Sequence, residues 1–456
     1  MNLSKLLILA VFCYSGSCSA QQTQQQSGGW KSLFNGKDLD GWEQLNGKAT
    51  YEVKNGEIIG TTVPKEPNSF LATKEKYGDF ILELDLQVDN GMNSGIQIRS
   101  ESKADYQNHR VHGYQVEVDP SDRAWSGGVY DEARRGWLYP LDINPKGQKA
   151  FKRGAWNKYR VECIGNSIRT WVNGVPTANV VDNMTPSGFI ALQVHGIYGD
   201  MKPGMQIRWR NIRIQTANLK PSKMDNIFVV NLVPNDLSAQ EQHEGYKMLW
   251  DGKTTKGWLS AKTRTKFPES GWSIKNGELH VQEANGQEST NGGDIVTEKQ
   301  YKAFELKFDF KLAEGANSGV KYFVTLAEKT QGSAIGLEYQ ILDDQKHPDA
   351  KLGRDGNRTL ASLYDLITSK KIVNAQRKIG EWNRGLIRVY PDNRVEHWLN
   401  GFKVLEYKRG SEEFKALVQI SKYKDWKDFG LAPQGHILLQ DHGNHVAFRS
   451  IKIKEL

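Results

Sequence analysis

Apolar and polar positions alternate with a period of two through most of this chain. The clearest runs are Phe80-Ile-Leu-Glu-Leu-Asp-Leu-Gln-Val and Phe304-Glu-Leu-Lys-Phe-Asp-Phe-Lys-Leu. Such alternation half-buries a strand and does not suit a helix. Asn55-Gly56, Asn173-Gly174, Asn276-Gly277 and Asn400-Gly401 fall between alternating runs, where Asn-Gly supplies the positive φ angles of a tight hairpin. Ser238-Ala-Gln-Glu241 is a capping-box pattern and predicts a short helix over about Ser238 to Glu244. Many strands, recurring turn signals and almost no helix predict an all-β protein built from sandwiches.

The pattern occurs twice. Trp30 to Trp42 (WKSLFNGKDLDGW) matches Tyr246 to Trp258 (YKMLWDGKTTKGW), and Phe80 to Arg99 matches Phe304 to Phe323. Trp156 to Gly174 matches Trp382 to Gly401, and Gly188-Phe-Ile-Ala-Leu-Gln-Val-His195 matches Gly435-His-Ile-Leu-Leu-Gln-Asp-His442, 247 residues later. So long a period means two tandem domains, not a solenoid. The expected organisation is a first sandwich over 30–217, a linker over 218–237 and a second sandwich over 238–456. Within the linker, Ile227 to Val233 is apolar enough to dock as an edge strand. Each opening segment should pair with the last strand of its own half near one sheet edge. From the Asn-Gly turn to the late histidine is 22 residues in the first copy and 42 in the second. The extra stretch, about Gly410 to Pro433, carries Phe414, Tyr423, Trp426 and Phe429, and suits either a lid or sugar platform or a helix packed on the sandwich.

Composition narrows the setting. Residues 1–20 have a basic start, an apolar stretch and small residues leading to Ala20, the pattern of a secretory signal, and 21–29 form a polar tether. Lipid attachment at Cys18 is the minor alternative, since Ser15 stands where a Leu-like residue is expected. The protein is therefore expected to be exported, to the periplasm or cell envelope. No other segment is apolar enough to span a bilayer. Cleavage would leave Cys163 alone, in an alternating strand, as buried packing. The net charge of +8 is spread along the strands, without the concentrated basic face that nucleic-acid binding needs.

No HExxH, GxSxG, phosphate-binding loop or zinc-type Cys/His spacing occurs. Four pairs of polar groups remain. Asn93-Ser-Gly is followed by Gln97 and Arg99, and Asn317-Ser-Gly by Lys321; a cation on a sheet face can hold a developing oxyanion. Gln115 and Glu117, with Asp119, share one face, as do Glu338 and Gln340; amide and acid have exchanged places between the copies. Asp343, Asp344 and His347 follow at the strand end, a grouping compatible with a divalent metal ion. Tyr130-Asp131 and Tyr364-Asp365 offer proton donors or stacking rings. Gln193 and His195, like Gln440 and His442, share a face before a loop.

The combination of LFNGKDLDGW, NSGI, GLEYQILDDQKHPDA, SLYD and GHILLQDHG resembles the 3-keto-disaccharide hydrolase domain family, over both halves. The resemblance implies two tandem concanavalin A-like jelly-roll β-sandwiches acting on glycosides oxidised at carbon 3. A C3 ketone acidifies the C2 hydrogen, so a base can form an enolate, the C1 substituent leaves by elimination, and added water completes net hydrolysis. The second half carries the fuller pattern. There the resemblance implies His442 or Glu338 as base, Lys321 or a metal at the enolate, and Tyr364 as donor. The first-half counterparts are His195 or Glu117, Arg99 and Tyr130. Asn93, Gln115, Gln193, Asn317, Gln340, Gln440 and Trp426 are the expected substrate contacts. A conventional glycosidase using Glu338 and Asp343 and a lectin-like module that only binds glycans remain open at this point.

Overall fold

The computed structural model describes residues 29–199, 201–326, 334–371 and 375–456, so the expected signal, Cys18 and most of the polar tether lie outside the described residues. Each half is a jelly-roll sandwich of two sheets whose strands pair antiparallel, apart from the linker strand. In the first half, Phe80–Val88 lies between Asn157–Ile164 and Gln206–Gln215 in the larger sheet, and Ser94–Glu101 lies between His112–Val118 and Phe189–Val194 in the smaller. The second half repeats this arrangement. Phe304–Leu312 lies between Trp382–Val389 and Val446–Glu455, and Asn317–Thr325 between Ile335–Leu342 and His436–Leu439.

The period-two runs explain the layering. Phe80, Leu82, Leu84, Leu86 and Val88 all point into the core, as do Phe304, Leu306, Phe308 and Phe310. Each such side chain contributes about 1.5–3 kcal/mol of burial. The alternate residues Glu83 and Asp85 face outward and meet Arg160 and Arg213, or Asn211. All four Asn-Gly pairs have positive φ at both positions, as tight hairpins require. The opening strands Trp30–Ser32 and Lys247–Met248 do pair with the last strand of their half. Those last strands, however, run through the sheet interior, not at an edge.

The linker docks as expected. Val230–Asn231 pairs in parallel with the edge strand Val175–Val181. The helix Ala239–His243 follows, with Ser238 and Glu241 forming a reciprocal capping box. Glu241 is fully buried and takes the ammoniums of Lys307 and Lys452, each at 3.0 Å. Lys307 also donates to the Val229 carbonyl (3.0 Å), tying the outer face of the second large sheet to the linker. Among the described residues no helix is long and apolar enough to cross a membrane.

Candidate functional site

In the second half, Val320, Tyr322, Tyr339 and Ile341 turn into the core, so Lys321, Glu338 and Gln340 stand on the opposite face of the smaller sheet. Lys321 pairs with Glu338 and Gly319 with Gln340 across the two strands. On the other side Gln440 donates its backbone N–H to the Gly319 carbonyl (3.0 Å), and the Ser318 hydroxyl donates to the Gln440 carbonyl (2.8 Å). This accounts for the Asn-Ser-Gly motif: its serine locks the Gln-x-His strand in register. Its glycine makes room, because a Cβ on Gly319 would lie 2.0 Å from Glu338 Oε1.

Together these residues floor a cavity of about 300 Å³ whose lining includes Asn317, Lys321, Glu338, Gln340, Gln440 and His442. Tyr364, Lys422, Tyr423 and Trp426 wall it. The last three come from the insertion, which combines both expected forms. Helix Glu412–Gln419 packs Phe414 and Val418 onto the sandwich, and the following loop reaches the cavity. The Lys422 N–H donates to Asp365 Oδ2 (2.7 Å), and its ammonium lies 4.2 Å from the centre of the Tyr364 ring. The aspartate of the Tyr-Asp motif thus anchors the insertion.

The electrostatics concentrate on Glu338, which is 5% exposed. Its carboxylate has no hydrogen-bond donor among the described residues. Burial raises its pKa, outweighing the opposing pull of Lys321 and Lys422. Lys321 is buried and ion-paired to Asp294 at 3.6 Å. Burial favours its neutral form, but the surrounding carboxylates Asp294, Glu338 and Glu288 prevail, so it stays cationic. Burial pushes Asp294 up to about 7. Among the described residues, Asn317 Oδ1, Gln340 Oε1, Gln440 Oε1 and His442 Nδ1 are buried without a hydrogen-bond partner. Unmatched buried polar atoms are costly and uncommon; four around one polar cavity form a surface shaped for a polyhydroxylated ligand. Lys422, Asp294 and Glu288 were not among the residues singled out from the sequence.

The other expected members have their polar groups engaged with other partners, although the His347 ring sits edge-on to His442 at 5.7 Å. The Tyr364 hydroxyl donates to Asp349 Oδ2 (2.8 Å), so its proton is engaged. Asp343 accepts from the backbone of Gly315 (2.8 Å) and Gln345 (3.0 Å). Asp344 accepts from Leu360 N (2.7 Å) and pairs with Lys371, while His347 Nδ1 accepts from Asp349 N (3.2 Å). These three do not fit the metal expected of them, and no grouping of three His, Cys, Asp or Glu among the described residues is placed to hold one. Asp343 is equally unsuited as the second carboxylate of a glycosidase pair.

The first half keeps the frame but not the charges. Gln97 stands at the place of Lys321, and Phe70, which pairs with Gln193, at that of Asp294. Phe70 joins Ala72, Val111, Phe189 and Ala191 in an apolar cluster on this face. Glu117 is already satisfied: Asn93 (2.5 Å) and Gln115 (3.1 Å) donate to it, and Arg123 lies 3.7 Å away. Burial raises its pKa to about 7. Tyr130 lies beside Gln115 in the next strand, edge-on to Trp137. His195 Nδ1 is bonded to the Gly196 carbonyl (2.7 Å), and burial lowers its pKa. Gln193 is fully buried, and both its amide atoms lack a partner among the described residues. Arg99 does not share the face of Gln97. It sits in a β-bulge with φ 46° and donates to the carbonyls of Gly78 and Gly165 and to Asp79 (2.8, 2.8 and 2.9 Å). The bulge breaks the alternation on which that expectation relied. Cys163 is buried, its thiol pushed up to about 12 by burial.

The doubling of the chain is matched by a known domain family. The model of the 3-keto-alpha-glucoside-1,2-lyase-like domain matches residues 29–215 and again 245–454. A Bacteroides thetaiotaomicron protein named 3-keto-disaccharide hydrolase is 35% identical over 262 residues, 53% of this chain and 85% of the relative. A crystallised Parabacteroides distasonis protein, described provisionally as a glycosyl hydrolase, is 30% identical, with a TM-score of 0.43 over 49% of this chain and 99% of its own. A second from the same organism is 26% identical, with a TM-score of 0.36 over 46% of this chain and 99% of its own. Two matched segments, each a two-sheet sandwich with the Asn-Ser-Gly, acid-amide and Gln-x-His strands side by side, place this chain in the 3-keto-alpha-glucoside-1,2-lyase-like domain family.

Proposed function

We propose that the chain is an exported enzyme that cleaves the glycosidic bond of 3-keto-glycosides, and that its second half performs the chemistry. The observation that carries this reading is the Glu338 carboxylate. It is buried, free of hydrogen-bond donors among the described residues, and faces a polar cavity that also holds two ammoniums. Elimination next to a ketone requires a base at C2 and a cation at the developing enolate. Glu338 takes the C2 proton, the C2 electrons delocalise onto the C3 oxygen beside Lys321 and Lys422, and the C1–O bond breaks. His442 gives the leaving oxygen its proton. Water added at C1, with a proton returned to C2, completes hydrolysis. Tyr364, its hydroxyl held by Asp349, serves as a wall for the sugar and not as the donor.

A conventional two-carboxylate glycosidase has one observation in its favour, since Glu288 lines the same cavity. The test compares a 3-keto-glucoside with its unoxidised parent, using wild type, Glu338→Gln and Glu288→Gln. Aglycone release from the keto sugar alone, abolished in Glu338→Gln and retained in Glu288→Gln, supports elimination. Cleavage of the parent, lost in both variants, would establish the glycosidase instead, and binding of both sugars without turnover would leave only a lectin.

A further inference from the structure

Between the two halves lies a cleft of about 480 Å³, remote from the sugar cavity in its lining and lined by four arginines: Arg135 from the first half and Arg377, Arg384 and Arg449 from the second. Two of them have carboxylate partners. Arg135 is matched by Asp131 (2.6 Å) and Asp182, and Arg449 by Asp309 (3.3 Å). The other two have none within ion-pair distance among the described residues, although Asp182, Asp309 and Glu381 line the same cleft and Asp309 lies opposite Arg384 in the sheet. Arg377 donates to the main-chain carbonyls of Arg135 and Trp137 (2.6 Å to the latter). Arg384 donates to that of Leu138 (3.0 Å), and its Nη1 is buried with no acceptor among the described residues.

A guanidinium partly withdrawn from water without a direct carboxylate contact is unfavourable, and carbonyl dipoles offset it only in part. Here two such groups share one cleft. Burial depresses the pKa of both, that of Arg384 to about 9; Arg135 beside Arg377 and Arg377 beside Arg384 add to this, and the opposing pull of Glu381 and Asp309 does not restore it. An oxyanion would supply the missing acceptor of Arg384 and a direct ion pair for both arginines at once, through the forked donors that suit carboxylate and phosphate. Leu138 and Leu232 give the cleft an apolar wall for the rest of a small ligand.

We propose that this interdomain cleft binds a small ligand through one oxyanion group, a carboxylate or a phosphate, held between Arg377 and Arg384. The site is independent of the catalytic reading, because its test involves no turnover. The full chain is titrated calorimetrically with glucuronate, with inorganic phosphate and with glucose, in buffers matched in ionic strength with sodium chloride. Saturable binding of one glucuronate or one phosphate per chain, with none of glucose, is expected, and the two anions show which oxyanion fits. Arg384→Met and Arg377→Gln each weaken it about tenfold, whereas Arg384→Lys retains part of the affinity. Circular dichroism establishes that each variant is folded; should Arg384→Met not fold, Arg377→Gln carries the test. Absence of saturable binding by either anion, or unchanged binding in a folded Arg377→Gln protein, overturns the proposal.

Discussion

Glu338 lies under opposed influences. Burial raises its pKa, while Lys321 and Lys422 hold it back, and the net result is above the ordinary value of 4.5. A base works only when deprotonated, so the rate should fall as pH drops through this raised value. The acid limb of the kcat/KM profile should lie above pH 4.5. Glu338→Gln should cost about 10²- to 10⁴-fold in kcat, and Lys321→Met roughly 10²- to 10³-fold, both measured by aglycone release. Asp294 and Lys422 escaped notice for one reason. Matching the two copies favours what they keep in common, yet Asp294 faces Phe70 in that match and Lys422 has no counterpart. A contrast between the copies would have been the better signal for Asp294. For Lys422, only the length of the insertion gave a hint. Arg99 misled because a bulge, invisible in an alternating pattern, turns it off the face.

The elements follow the sequence closely, because a period of two and Asn-Gly turns dictate strands and hairpins with little help from tertiary contacts. The insertion was less legible: its aromatics suit both packing and binding, and the structure uses Phe414 for one and Trp426 for the other. Trp426→Ala should raise KM roughly fivefold with little change in kcat, if the ring contributes only stacking. The short helix Ala239–His243 carries a heavier structural role through Glu241. Burial disfavours its charge, but Lys307 and Lys452 prevail and lower its pKa to about 2. A depressed carboxylate stabilises the fold above its unfolded pKa and loses that contribution as pH falls through the folded one. This share of stability is therefore intact above pH 4.5 and lost on acidification toward about 2. Glu241→Ala strands two buried ammoniums and should destabilise the protein by about 3–5 kcal/mol in denaturant melts.

At the scale of the whole molecule, duplication has produced two related halves with different electrostatics. The second presents unsatisfied polar atoms and a buried carboxylate between cations. In the first, Gln193 also has unpaired amide atoms among the described residues, but Gln97 and Phe70 stand where Lys321 and Asp294 do, and Glu117 is closed off by Asn93 and Gln115. Glu117→Gln and His195→Ala should therefore leave turnover within about twofold of wild type, as expected of a site distant from the reaction. His442→Ala should lower it steeply. The fold and the site strands were legible because both copies repeat them; the division of labour was not, since it depends on which charges lie buried beside one another. Proton abstraction at C2 by the second half is the step on which the proposed reaction depends. The direct measurement is cleavage of a 3-keto-glucoside in D₂O, with the released sugar analysed for deuterium at C2 above an enzyme-free control. Deuterium at C2 in wild type, together with loss of both label and release in Glu338→Gln, is the predicted result. Release of the sugar with its C2 hydrogen retained would contradict it.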